Sequence, residues 1–136
     1  YKSELERTMF LYETNREQEK YFNFMLEAQE VAFNTIKPGI PASAVEEAVQ
    51  TYFKEQGILH LTRHHTGHSI GLLGHEGPFF DLGDDTILQP GMVLTVEPGL
   101  YVKGLGGFRH SDTILVTEDG LEKLTYYPRD LNSLIV

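Results

Sequence analysis

The chain has 136 residues, the size of one domain and too short for two full ones. Hydrophobic residues make up 40% and charged residues 23%, so the composition excludes a disordered or collagen-like chain. An excess of 20 acidic over 11 basic residues gives a net charge of -9, which argues against nucleic acid and membrane surfaces as partners. No stretch approaches the ~18 apolar residues of a membrane span.

The chain contains no cysteine, which excludes disulfides, thiolate metal sites and cysteine nucleophiles. This composition is compatible with a reducing compartment, and no leader-like segment opens the sequence, so we expect a cytoplasmic location. The first residue is Tyr1 and not an initiator methionine, so we expect the chain to be a fragment.

The beginning of the chain predicts a strand. Residues from Leu5 to Leu11 alternate between polar and apolar. Side chains repeat every second residue in a strand, so Glu4, Glu6 and Thr8 would share one face.

Two amphipathic helices are predicted after this strand. Asn15 with Gln18 forms a capping-box pattern that predicts a helix over residues ~15–37, which Pro38-Gly39 would end. Ser43 with Glu46 repeats the capping pattern and predicts a second helix over residues ~43–56.

The remainder predicts strands and loops. A short strand is expected from Ile58 to Arg63, followed by a segment rich in glycine and histidine from His64 to Asp85. Further strands are expected from Met92 to Glu97 and from Phe108 to Thr117, and the latter would continue through a hairpin turn into a return strand, Leu121 to Thr125.

Histidine clustering is the first chemical signal, since five of the six histidines lie between His60 and His75. Imidazole serves as a metal ligand or as a general acid or base near neutral pH. His68 and His75 are flanked by glycines, which let a ligand approach the backbone closely. The alternative is a glycine-rich loop that carries surface histidines.

Glu97 is the second signal because it ends an apolar strand and precedes a Pro-Gly turn. A carboxylate in such a buried position is costly unless it meets a cation, a metal or a hydrogen-bond donor. The alternative is a glutamate that faces solvent at the strand end.

Two further polar groups stand at strand ends. Arg109 and Ser111 share one face of their strand, and His110 and Asp112 share the other. Near the start of the chain, Glu4 and Glu6 lie on one face and repel each other unless a cationic partner or solvent separates them. The alternative for both groups, which is the more common case at strand ends, is plain exposure to solvent.

Several segments, taken in order, resemble one family. They are Gly-His-Ser-Ile-Gly at 67–71, His-Glu-Gly-Pro at 75–78, the run from Pro90 to Gly99, and Gly-Phe-Arg at 107–109. The segment from Ser3 to Thr8 is similar to a Ser-Asp-x-x-Arg-Thr strand. Together they resemble the pita-bread (M24-type) hydrolases, which include Xaa-Pro dipeptidase (prolidase), aminopeptidase P, methionine aminopeptidase and creatinase.

The resemblance implies an α+β pita-bread fold, with a curved antiparallel sheet and two helices packed on one face. It implies that residues 1–136 form the C-terminal part of a catalytic domain whose upstream half and N-terminal domain are absent. It also implies a small-molecule or dipeptide substrate and a homodimeric full-length protein.

The resemblance also implies metal ligands, which we assign to this sequence position by position. The resemblance places the family's histidine ligand at His68, its first glutamate at Glu97 and its second aspartate at Glu4, while the first aspartate would lie upstream of this chain. The glutamate that bridges two metals falls on Ser111. Two cations ~3.5–4 Å apart need negative ligands between them, and a hydroxyl supplies no charge. We therefore expect one divalent ion (Mn, Co or Zn) or none, and no dinuclear centre.

The expected function is a hydrolase that cleaves a C–N bond of a small molecule or peptide end, similar to Xaa-Pro dipeptidase or aminopeptidase P. In this prediction His68, His75 and Glu97 are catalytic, Glu6 binds the substrate, and Arg109 orients a carboxylate. Three alternatives stay open. The first is a metal-independent, creatinase-like amidinohydrolase whose carboxylates bind a cationic substrate. The second is an intact metallopeptidase whose missing ligands come from the absent upstream segment or from another chain, and the third is a non-catalytic peptide-binding module.

Overall fold

The computed structural model describes residues 1–136 as an α+β structure, the class that the sequence predicts. The helices are α1 (Arg16–Thr35) and α2 (Ala42–Glu55). The strands are β1 (Leu5–Glu6), β2 (Gly67–Ser69), β3 (Glu76–Phe80), β4 (Val93–Val96), β5 (Gly99–Val102), β6 (Gly106–Arg109), β7 (Ser111–Val116) and β8 (Leu121–Lys123), with short 3-10 helices at Leu59–Leu61 and Asn132–Leu134. Neither α-helix combines the length and the apolar character needed to cross a membrane.

The first helix begins as its sequence predicts. The Asn15 side chain accepts a hydrogen bond from the Gln18 backbone N–H, and the Gln18 side chain accepts one from the Asn15 backbone N–H. This reciprocal capping box satisfies donors that the first turn of a helix would otherwise leave free. Gly39 follows the helix with a φ of +89°, a conformation that favours glycine.

The capping box predicted at the start of α2 is wrong. The residue that caps this helix is Pro41, and no side chain bonds to the helix terminus. The Ser43 hydroxyl donates to the Asp85 carboxylate at 3.0 Å, and the Glu46 carboxylate accepts from the Thr66 backbone N–H at 2.7 Å. Partners distant in sequence have therefore taken both side chains away from the local cap.

The main sheet has six antiparallel strands in the order β1-β7-β4-β2-β3, with β8 also paired to β7, while β5 and β6 form a separate two-stranded hairpin. Alternate side chains of β4 and β7 join the helices in one buried apolar cluster; they are Leu94, Val96, Ile114 and Val116. The two helices thus pack on one face of the sheet, as predicted. The intervening side chains, such as Thr95 and Ser111, point to the opposite face.

Two predicted strands of the sequence differ from the structure. The segment Ile58 to Arg63 is a 3-10 turn, because the Leu61 N–H donates to the Ile58 carbonyl at 2.9 Å and closes a tight turn straight after α2. The strand expected over Phe108 to Thr117 is divided at His110 into β6 and β7.

The first strand is shorter than predicted, and the histidine-rich segment is more regular. Pairing of β1 ends at Glu6, since the Thr8 backbone N–H donates to the His110 ring and not to a strand carbonyl. The segment rich in glycine and histidine contains β2 and β3, and His68 is the one histidine of this segment that lies in a strand.

A buried ion pair fastens the first strand to the centre of the sheet. The Arg7 guanidinium donates to the Asp112 carboxylate at 2.6 Å, and their side chains are 2% and 0% exposed. Arg7 also donates to the carbonyls of Ser111 and Pro128, each at 3.0 Å. One side chain therefore joins β1, β7 and the C-terminal segment.

Arg7→Ala should lower the free energy of unfolding by about 3 kcal/mol, because it leaves the Asp112 carboxylate buried without its main cation. Urea denaturation followed by circular dichroism measures the change. Arg16→Ala, at an exposed arginine in the first turn of α1, is the matched control and should stay within about 0.5 kcal/mol of wild type. Equal losses in the two variants would contradict a stabilising role for the buried pair.

Candidate functional site

A polar cavity of about 500 Å³ opens beside β1, β2 and the end of β4. Its wall contains no hydrophobic residue and consists of Glu4, Glu6, His64, His65, His75, Glu97 and Arg109. Three carboxylates, three imidazoles and one guanidinium thus converge from segments that are far apart in the sequence. Such a concentration of titratable groups in a cleft is typical of a catalytic or ligand-binding site.

The three predicted metal-ligand positions meet at the floor of this cavity. The His68 Nε2 atom lies 3.1 Å from Glu97 Oε1 and 3.8 Å from Glu4 Oε2. One ligand atom from each residue lies within 4.8 Å of the other two. The structure therefore brings Glu4, His68 and Glu97 together, as the resemblance implies, and their roles stay predictions.

His68 presents an unpaired nitrogen to the two carboxylates. Its Nδ1 lies 3.0 Å from the Ser69 carbonyl, which can only accept, so Nδ1 carries the proton in the neutral ring. The ring is fully buried and its Nε2 has no hydrogen-bond partner. Burial lowers the pKa of His68 and favours this neutral form. A lone pair that is fixed by a second hydrogen bond and aimed between two carboxylates suits a bound cation.

The pKa values of the Glu97 and Glu4 carboxyls shift in opposite directions. Burial, together with the hydrogen bond and the charge of Glu4, raises the pKa of Glu97 to about 8. Burial alone would also raise the pKa of Glu4, but hydrogen bonds with Glu97 and Ser111 and the charges of His68 and Arg109 hold it below its ordinary value. Near neutral pH, the pair therefore shares a proton or needs a cation in its place.

Ser111 lies at the position where the sequence resemblance implies a bridging glutamate. Its hydroxyl donates to Glu4 Oε1 at 2.8 Å. This hydrogen bond stabilises the Glu4 carboxylate but adds no negative charge to the cluster. Glu4, His68 and Glu97 thus fit one divalent ion through two carboxylates and one imidazole. Within this chain, Ser111 supplies no negative charge that could screen a second ion from the first.

Glu6 and Arg109 are paired with each other at the cavity wall. The Arg109 Nε donates to Glu6 Oε1 at 2.7 Å, and a second guanidinium nitrogen donates to the other Glu6 oxygen. The Arg109 guanidinium also lies 3.8 Å from Glu97 Oε2. The hydrogen bond with Glu6 raises the pKa of Arg109, so the guanidinium is a permanent positive charge of the wall.

Histidines line the rest of the cavity. The His75 ring lies 4.0 Å from the His68 ring, centroid to centroid, and 31° from parallel. The His64 Nδ1–H donates to the His65 carbonyl at 2.9 Å, so its Nε2 accepts from the Tyr101 hydroxyl at 2.7 Å. Tyr101 therefore holds His64, a residue of the cavity wall, in position.

Gln29, on α1, contacts the strands that carry the site from the helix side of the sheet. The sequence analysis did not identify it. Its side-chain amide is buried and donates to the Val96 carbonyl and to the Asp112 carboxylate, each at 3.0 Å. Val96 and Asp112 face each other across β4 and β7 and immediately adjoin Glu97 and Ser111. A polar residue within the apolar stripe of α1 is the signal in the sequence that could have identified it.

Comparison with known proteins assigns the chain to a class. A sequence model of metallopeptidase family M24 matches residues 1–118, and the chain belongs to this family. The Xaa-Pro dipeptidase of Pyrococcus furiosus is 39% identical over 131 residues, which are 96% of this chain and 38% of that protein.

Solved structures agree with the assignment. The prolidase of Pyrococcus horikoshii OT3 superposes with a TM-score of 0.92 and 38% identity, over 95% of this chain and 37% of that one. The X-Pro aminopeptidase of Thermotoga maritima MSB8 superposes with a TM-score of 0.92 and 32% identity, over 97% of this chain and 37% of that one. The fold is thus the pita-bread fold, and the chain spans less than two-fifths of the length of these relatives.

Gly67→Ala should lower the free energy of unfolding by about 3 kcal/mol, since overpacking of a sheet interior displaces backbone. A Cβ at this position would lie 2.1 Å from the Thr95 carbonyl oxygen, on the strand next to β2. Gly74→Ala is the matched control, because a Cβ there has no neighbour within 4 Å. Thermal unfolding of the complete protein compares the two, and equal stability would contradict the close approach of β2 and β4.

Glu97→Gln should gain stability relative to wild type as the pH rises. The pKa of Glu97 is raised from 4.5 to about 8, so the folded protein retains a proton that the unfolded chain releases. The wild-type protein therefore loses stability between pH ~5 and ~8, because the Glu97 carboxyl ionises less readily in the folded protein than in the unfolded chain. Glutamine does not ionise, so the variant does not have this loss.

Denaturant titrations of the complete protein at pH 5, 6.5 and 8, with a chelator present, measure this difference. Glu118→Gln, at an exposed turn residue, is the control and should run parallel to wild type. If the difference in unfolding free energy between Glu97→Gln and wild type is the same at all three pH values, the pKa of Glu97 is not raised in the folded protein.

Proposed function

We propose that the chain is the C-terminal part of the catalytic domain of a hydrolase that cleaves a C–N bond in a peptide end or a small molecule. Its M24 membership and the naming of its relatives as Xaa-Pro dipeptidases support this reaction class. The observation that carries the proposal is the unpaired, buried His68 Nε2 facing Glu4 and Glu97. This arrangement holds a single cation. A cytoplasmic location and a homodimeric full-length protein stay predictions.

The bound cation is one divalent ion in the first form of the proposal. Glu4, His68 and Glu97 would hold it, and when bound it would polarise a carbonyl oxygen and lower the pKa of a water molecule. Ser111 fixes one oxygen of Glu4, and the Ser69 carbonyl fixes the His68 ring. Both ligands are therefore oriented before the ion arrives, which is the usual role of neighbours behind a metal site.

The residues around the cluster perform the other tasks of hydrolysis. His75, exposed to solvent beside the His68 ring, takes a proton from the attacking water or gives one to the leaving nitrogen. The Arg109 guanidinium, held by Glu6, offers a fixed positive charge to oxygen that becomes negative during the reaction.

A second form of the proposal replaces the metal by the substrate's own positive charge. Ser111 favours it, because loss of the bridging carboxylate weakens a metal centre without weakening the attraction of Glu4 and Glu97 for an amidine or guanidinium. In this creatinase-like form the same cluster binds the substrate nitrogen atoms directly.

The test measures metal content and hydrolysis in the complete protein. We expect mass spectrometry to find at most one Mn, Co or Zn ion per chain. Xaa-Pro dipeptides, creatine-like amidines and cyclic amidines are then assayed with and without a chelator. Loss of activity with the chelator identifies the divalent ion, and retained activity identifies the substrate cation.

His68→Ala should lower kcat/KM at least 100-fold under either form, because the cluster loses its central ligand. His60→Ala, at an exposed histidine outside the cavity, is the matched control and should leave hydrolysis unchanged. Two ions per chain would contradict the single-cation site. Absence of hydrolysis across the whole panel would favour a non-catalytic binding module instead.

A further inference from the structure

His110 is a buried histidine that has no part in the proposed hydrolysis. It separates β6 from β7, between Arg109 of the cavity wall and Ser111 of the cluster. The ring is fully buried, and it meets the Phe22 ring edge-on, with 5.2 Å between the centroids. A buried imidazole needs hydrogen-bond partners, and the partners of His110 belong to segments that are far apart in the sequence.

The hydrogen bonds of His110 determine which of its nitrogens carries the proton. Burial lowers the pKa of His110, which keeps the ring neutral. Nε2 lies 3.2 Å from the Arg129 carbonyl, which can only accept, so Nε2 carries the proton. Nδ1 therefore has a free lone pair, and it accepts the Thr8 backbone N–H at 3.2 Å. The ring thus holds the backbone of Thr8, two residues beyond the end of β1.

Thr8 lies where the pairing between β1 and β7 would continue. Leu5 is opposite Asp112 and Glu6 is opposite Ser111, so the same register places Thr8 opposite Arg109. The Thr8 N–H is bonded to His110 instead, and the side chain takes its place. The half-buried Thr8 hydroxyl accepts from the Arg109 N–H at 2.9 Å and donates to the Arg109 carbonyl at 3.0 Å. One side chain therefore bonds to both backbone groups of Arg109.

The ion pair between Glu6 and Arg109 depends on this register. Arg109 lies two residues from Ser111, the partner of Glu6, so the pair joins diagonal neighbours on one face of the strands. A slip of one residue would turn the Arg109 side chain to the opposite face. The pair cannot hold the register by itself, because its side chains are 32% and 40% exposed and solvent weakens their attraction.

We propose that Thr8 is a positioning residue, whose hydroxyl holds the Arg109 backbone so that the guanidinium meets Glu6 at the cavity wall. The inference rests on the proposed function, in which Arg109 offers its charge to oxygen that becomes negative. Thr8 lies outside the cavity wall, so it acts on the reaction only through Arg109.

The position of Arg109 is measured without catalysis. Nuclear magnetic resonance follows the exchange of the Arg109 Nε–H with solvent in the complete protein, and Arg109→Lys identifies the resonance by removing it. Thr8→Val removes the hydroxyl and should accelerate this exchange about tenfold, because Nε then loses its bond to Glu6. Thr8→Ser keeps the hydroxyl and should exchange at the wild-type rate.

Thr35→Val is the matched control, because it removes a half-buried hydroxyl that donates to the Val31 carbonyl of its own helix. This variant should leave the exchange of the Arg109 Nε–H unchanged. Circular dichroism checks that each variant is folded, and Thr8→Ala takes the place of Thr8→Val if valine disrupts the fold. A wild-type exchange rate in the variant without the hydroxyl would overturn the proposal.

Action through Arg109 is tested by a double-mutant cycle on hydrolysis. Thr8→Val should lower kcat about tenfold and change KM less than about twofold, because a misplaced guanidinium weakens stabilisation of the transition state. In an Arg109→Ala background, the same substitution should lower kcat less than about twofold. Equal losses in both backgrounds would contradict action through Arg109. The exchange measurement does not need hydrolysis, so absence of activity counts against the proposed function and leaves the test of Thr8 intact.

Discussion

The site depends on one unsatisfied atom. His68 Nε2 is buried between the carboxylates of Glu97 and Glu4, and its lone pair has no donor to accept from. A buried polar atom without a partner is costly, and two carboxylates beside it are costlier still. A proton on Glu97 or a cation at the cluster relieves both costs at once. Whether a proton or a cation is present at the cluster therefore determines the chemistry of the cavity.

The neighbouring charges limit what that cation can be. Ser111 replaces a bridging carboxylate with a hydroxyl, and Arg109 adds a permanent positive charge within 3.8 Å of Glu97. Both changes lower the capacity of the cavity for positive charge. The proposed single ion, or a single cationic substrate group, matches this capacity. Membership of a metallopeptidase family and a site for one cation are therefore compatible.

The positions of these groups are set by buried polar contacts on the other side of the sheet. Gln29 joins β4 and β7 directly behind Glu97 and Ser111. The Arg7–Asp112 pair fixes β1, which carries Glu6 and directly follows Glu4. Because side chains alternate along strands, a contact on the helix side determines the register on the cavity side. The rigidity of the site is thus supplied by residues that never face the cavity.

The sequence by itself determined the two helices, the fold class and the clustering of imidazoles and carboxylates, because apolar periodicity, the Asn15 cap and the ordered motifs are local in the chain. It did not determine the start of α2, where Ser43 bonds to Asp85 and Glu46 bonds to Thr66 instead of capping the helix. It also did not determine the pairing of Glu6 with Arg109, which is 103 residues away. Only the tertiary structure decided these, because a polar side chain bonds to whichever partner the packed chain brings within reach. The same reason explains why the contacts of Gln29 and Tyr101 were not recognised, since each of them joins segments that are far apart in the sequence.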